Sequence, residues 1–157
     1  MEIAIDIGAV LVRLGPGEDL HDAVHEAFEL GNRAFPVLTS CIGSLSYLEY
    51  GLAGCDPQGI PGPGARYVRE DDAVEVGGIH GHVGVDRDNM PSAHLHGVMF
   101  GSDGSVLGGH VFVAKVLITM EFALLGPGAP RWLRVHQPVS GSPPLPLLIP
   151  ADRESPR

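Results

Sequence analysis

The sequence predicts a domain of short strands joined by turns, with few helices. Three observations carry that reading. The 157 residues include 22 Gly and 14 Pro, which is heavy turn punctuation. Only 18% of residues are charged against 44% hydrophobic, enough to bury one core in a chain of this length. Residues 18–30 show helical spacing.

Residues 9–14 (AVLVRL) read as the first strand, followed by the turn GPGED. In the helix that follows, Leu20, Val24, Ala27 and Phe28 share one face, and His21, Asp22, His25, Glu26 and Glu29 the other. Glu18, Asp19 and Asp22 fall in the first turn, where the helix dipole favours acids, and Gly31-Asn32 ends the helix. Residues 35–41 form a buried strand. After Gly43, residues 45–50 continue extended, with Leu45, Tyr47 and Glu49 on one side. Residues 51–66 are Gly/Pro-rich and predict a long loop, with a short strand at 67–69. Strands follow at 74–85, 93–100, 105–114 and 115–125. Residues 126–157 hold eight prolines and predict an extended or disordered tail, so the folded domain spans 9–125. The PPLP within that tail suits a partner that reads polyproline II; a floppy end is the plainer reading.

Charge and composition exclude several function classes. The net charge of −9 repels phosphate backbones. Residues 126–157 carry four arginines against Asp152 and Glu154, a net of +2, which leaves −11 for residues 1–125. Lys115 is the only lysine, and no basic cluster occurs. Cys41 and Cys55 are too few for a disulfide framework and fit a reducing cytoplasm, with Cys41 a small buried apolar residue. No signal peptide is expected at the N-terminus. The longest apolar stretch, 111–125, is broken by Lys115 and Glu121 and cannot span a membrane. No G-x-S-x-G nucleophile elbow or phosphate loop is present, and Glu75 and Glu121 suit structural roles at least as well as catalytic ones.

The chemistry concentrates in HLHGVMFGSDGSVLGGH, residues 94–110. On a strand His94 and His96 share a face, with Leu95 on the other. The place of His110 depends on the turn. A two-residue loop at Asp103-Gly104 makes paired residue numbers sum to 207 and turns His110 to the wrong face. A three-residue SDG loop makes the sum 206 and sets His96 opposite His110; Gly104 suits the left-handed last position of such a loop. Gly108-Gly109 can insert a bulge and shift this register. Three histidines with an open fourth position match a catalytic-type zinc site; three polar histidines on a solvent-facing sheet are the plainer alternative. His80 and His82 repeat the alternation and are candidates to extend the pocket or supply further ligands. His21 and His25, spaced i, i+4, read as part of a solvated helix face, and His136 in the tail is uninformative.

Five stretches occur in an order that resembles the plants-and-prokaryotes-conserved (PPC) domain: VRLGPGEDLHDAVHEAF, VLTSCIGSLSYLEY, VEVGGIHGHVG, HLHGVMFGSDGSVLGGHVF and VLITMEFALL. The resemblance covers about residues 10–125. It implies an α+β fold, a mostly antiparallel sheet packed on one or two helices, and a homotrimer. It also implies a divalent metal, zinc first, held by residues matching His94, His96 and His110. Plant members of the family carry an AT-hook and bind AT-rich DNA, and prokaryotic members share a DNA-binding label by association. This chain has no AT-hook, and it has His80 and His82 where relatives show small hydroxyl residues. The leading expectation is a trimeric three-histidine metal-binding domain with a small-molecule pocket. A DNA-binding or transcription-associated protein and a non-catalytic oligomerisation module are the alternatives.

Overall fold

A computed structural model describes residues 1–6, 8–55, 61–126, 132–139 and 142–150. Its strands are β1 (Glu2–Asp6), β2 (Ala9–Leu14), β3 (Val37–Cys55), β4 (Pro61–Glu70), β5 (Val74–Val85), β6 (Pro91–Gly101), β7 (Val106–Leu125), β8 (Trp132–Val139) and β9 (Ser142–Pro150). The one helix among the described residues, α1, spans Leu20–Leu30. The strands run in the order β1-β2-β7-β3-β5-β8-β9, with β4 on β3 and β6 joining β5 to β7. Hydrogen bonding therefore closes a circuit β3–β5–β6–β7 back to β3. Every pairing is antiparallel except the bridge from Val85 to Leu133. This is the mostly antiparallel α+β fold that the motifs imply.

The helix forms where its period predicts. Asp19 caps it, its carboxylate accepting from the backbone N–H of His21 at 2.8 Å and of Asp22 at 3.3 Å. Leu20, Ala23, Val24, Ala27 and Phe28 are buried against the sheet. The turn out of the helix uses positive φ at Asn32 and Arg33 rather than at Gly31. Arg33 is held there by Glu29, one turn back, at 2.6 Å. At the other end, Gly17 N–H donates to the Val116 carbonyl and Val116 N–H donates to the Glu18 carbonyl, which pins the segment leading into the helix to β7.

Several predicted boundaries move. The strands expected at 35–41 and 45–50 are one strand, β3, which runs on to Cys55. The predicted loop at 51–66 is therefore strand at both ends, since β4 already begins at Pro61 and absorbs the short strand expected at 67–69. The glycines that weaken local strand preference there are overridden by ladder bonds to neighbouring strands. Likewise 105–114 and 115–125 are the single strand β7. Register shifts in β3 separate residues expected on one side: Leu45 is buried, whereas Tyr47 and Glu49 face outward. β1 is a short edge strand that the sequence reading did not place. Within the Pro-rich segment, β8 and β9 pair with each other, and β9 is the last strand in the sheet order.

The core joins both layers: Phe28 and Leu20 from the helix, Leu38, Leu45 and Leu48 from β3, Ile79, Leu95 and Met99 from β5 and β6, and Val111, Met120 and Leu124 from β7. Cys41 is free and fully buried, and burial pushes its thiol up to about 12, so it packs as a small apolar side chain. No described helix is long and apolar enough to cross a membrane.

His21 and His25 do not form a solvated face. His21 Nε2 donates to the Val111 carbonyl at 3.0 Å, and His25 is half-buried with an Nε2 that has no partner. Burial, followed by the charge of His21, holds the His25 pKa below the ordinary histidine value. A group with a depressed folded pKa contributes stability above its unfolded pKa, about 6.5, and loses it as pH falls. We expect His25→Leu to be neutral or about 1 kcal/mol more stable than the parent at pH 7, because it removes an unpartnered buried nitrogen. Its advantage should widen at pH 5, as read from urea midpoints at the two pH values; a constant difference would refute this account.

Candidate metal centre

The turn at the end of β6 decides the site. Gly101 N–H bonds the Ser105 carbonyl and Gly104 N–H bonds the Gly101 carbonyl, both at 2.9 Å, with Gly104 at φ +83°. This is the three-residue loop. Pairing runs unbroken from Phe100↔Val106 to Leu95↔Val111, with His96 directly opposite His110 and no bulge at Gly108-Gly109. Leu95, Gly97 and Met99 point into the core, so His94 and His96 point away from it.

The three imidazoles meet. Their ligand-type nitrogens all lie within 4.8 Å of one another, and His94 Nε2 is 3.0 Å from His96 Nε2. Ring centroids are 4.6 Å apart for His94 and His110, 4.9 Å for His94 and His96, and 5.2 Å for His96 and His110. A tetrahedral zinc with bonds of about 2.0–2.1 Å needs ligand nitrogens roughly 3.3–3.4 Å apart, which rotamer adjustments of order 1 Å supply. The donor set therefore fits a divalent transition metal. His94 and His110 are partly buried and His96 is exposed. Burial, and then the charge of His80, lower the His96 pKa, which favours the neutral form that ligates metal.

The sequence reading missed the wall behind the centre. Phe112 stacks on His110 with centroids 4.4 Å apart and an interplanar angle of 21°. Gly51 pairs with His110 across β3 and β7, and a Cβ there would come within 2.7 Å of the Phe112 ring, so the glycine leaves the ring its seat. The signal was hidden because Gly51 fell in the predicted loop. Further along the same strand, Tyr47 donates to Glu49 and accepts from Arg69 Nε at 2.6 Å, while Arg69 pairs with Glu49 at 3.5 Å. This surface trio, with Arg69 exposed and Tyr47 and Glu49 partly so, stabilises little.

His80 and His82 stand outside the close group, although β5 places them opposite His96 and His94 respectively. Glu75 and Glu121 are exposed. Behind the sheet, the His21 bond to Val111 ties the helix to the residue next to His110.

Residues 6–125 match the Plants and Prokaryotes Conserved (PCC) domain. The chain belongs to this family. No curated protein sequence matches it. Among solved structures, a metal-containing protein from Archaeoglobus fulgidus is 26% identical, with a TM-score of 0.66 over 93% of this chain and 95% of that one. A plant- and prokaryote-conserved protein from Pyrococcus horikoshii, 18% identical, superposes with a TM-score of 0.67 over 93% of each chain. A Bacteroides thetaiotaomicron protein described as a "putative dna binding protein" is 16% identical, with a TM-score of 0.75 over 94% of this chain and 96% of that one. The last two likenesses show the PCC fold alone.

The register depends on a close approach at Gly109, where φ is +148° and a Cβ would lie 2.2 Å from the Gly51 carbonyl oxygen. Gly109→Ala should cost about 1–3 kcal/mol in backbone strain alone, and the forced displacement of β3 adds to it. It should also separate His110 from His96. Denaturant midpoints and histidine ring NMR shifts would show both effects together; an unshifted His110 resonance would contradict the second.

Proposed function

We propose that this PCC-domain protein is a divalent-metal-binding domain in which His94, His96 and His110 hold the ion, with zinc the expected metal. One observation carries the reading: three imidazole nitrogens within 4.8 Å, built on two strands whose register is set by the turn between them. The metal-containing description of the 26% identical Archaeoglobus neighbour supports it. When bound, the ion would supply Lewis acidity and a more acidic water at the position the protein leaves open, where a small molecule can bind. The chain's own part is to fix the three rings: the turn sets His96 against His110, and Phe112 backs His110.

The working unit in this proposal is a homotrimer. Exposed Leu11 and Ile42 line an open groove of about 510 Å³ that Glu2, Arg13 and Glu121 also border, a mainly apolar surface with charged residues among it, of the kind that subunit contacts cover. DNA binding gains no support from the described residues. The neighbour so described shares only the fold, and the chain is acidic with a single lysine.

Protein purified without an affinity tag should carry close to one metal per chain by elemental analysis, and the His96→Ala/His110→Ala pair should carry almost none. Equal metal in both would remove the centre. Light scattering should give three times the 16.5 kDa chain mass; a monomer would end the trimer reading without touching the metal one.

A further inference from the structure

We infer that His80 and His82 form a second, weaker divalent-metal station directly beside the three-histidine centre. The inference goes beyond the three-histidine reading and uses different ligands, so each can fail alone.

The sheet makes the juxtaposition. In β5 and β6, His80 pairs with His96 and His82 with His94. Directly opposed residues of an antiparallel pair share a face, with Cβ atoms about 4.5–5.5 Å apart. Through His110, opposite His96, five histidines stand on one face of three adjacent strands. The spacing is held firmly. Between the two new residues, Gly81 lies so close to β6 that a Cβ would fall 2.0 Å from the His94 carbonyl oxygen. On the other face, Ile79 and Val83 anchor β5 in the core.

His80 and His82 are both exposed, and their side chains lie about 6.5–7 Å apart along the strand. Rotation of the two rings toward each other closes that span on one ion without displacing core packing. Their nitrogens are not members of the group within 4.8 Å, so an ion on His94, His96 and His110 leaves them available. Two imidazoles completed by water suit Zn²⁺, Ni²⁺ or Cu²⁺, and not Mg²⁺ or Ca²⁺, which want oxygen ligands. With two imidazole ligands against three, the second station is the weaker one, and repulsion from an ion on the first centre weakens it further.

Calorimetric titration of untagged, metal-stripped protein with Zn²⁺ tests this, with Mg²⁺ as the control. The parent should take up two equivalents per chain in a tight and a weak class. His80→Ala/His82→Ala should retain the tight class and lose the weak one. His96→Ala/His110→Ala should lose the tight class and keep one weak equivalent. Asn replacements at 80 and 82, with circular dichroism matched to the parent, separate loss of ligands from loss of fold. The inference is overturned if the parent and the His80/His82 variant titrate identically. It is equally overturned if the parent takes one equivalent that the variant merely weakens, which would make His80 or His82 an extra ligand to a single ion. Persistence of the tight class in His96→Ala/His110→Ala would instead refute the first centre and leave the second standing.

Discussion

The pairing of β6 with β7 is the constraint on which the candidate site depends. A strand has a side-chain period of two, so a slip of one residue would set His96 opposite Val111, turning His110 toward the core and Val111 out of it. Burying each such apolar side chain stabilises by about 1.5–3 kcal/mol, so the core itself rejects the slip. The three-residue turn then selects among the remaining registers, with Gly104 taking the left-handed position that other residues adopt at a cost. The histidines face outward because the apolar residues between them face inward.

The helix serves as a backing plate for this arrangement. Its apolar stripe covers the core side of the sheet, and Gly17 and Glu18, just before it, are tied by backbone bonds to Val116. His21 reaches Val111, whose neighbour is His110. The same packing leaves His25 half-buried with an orphaned nitrogen, a small destabilising feature inside an otherwise well-satisfied helix. These bonds hold β7 at Val111 and Val116, on either side of a short stretch beside His110, and a ligand held in place loses little entropy on binding an ion.

Local chemistry made much of this legible. The period of residues 18–30 placed the helix to within two residues, and the i, i+2 spacing placed His94 and His96 on one face opposite Leu95. The turn type could be argued from Gly104 because backbone conformation there is a property of a few residues. The cluster of three nitrogens follows from those two facts. What stayed hidden involved partners distant in sequence. Gly51 looked like a loop residue because glycine weakens a strand locally, yet two neighbouring strands hold it extended. Its reason for being glycine is the Phe112 ring, which is 61 positions away.

The sequence by itself determined the helix, the outward face of the HxH pair, the turn that opposes His110 to His96, and the burial of Cys41. Each depends on residues within about one turn or one hairpin, where bonding geometry leaves few choices. Only the tertiary structure decided that β5 lies beside β6 in the register that adds His80 and His82 to the same face, that β3 extends through its glycines, and that the two helix histidines are packed rather than solvated. Those outcomes turn on which strands become neighbours, and that choice is made by burial of the whole apolar set rather than by any short stretch.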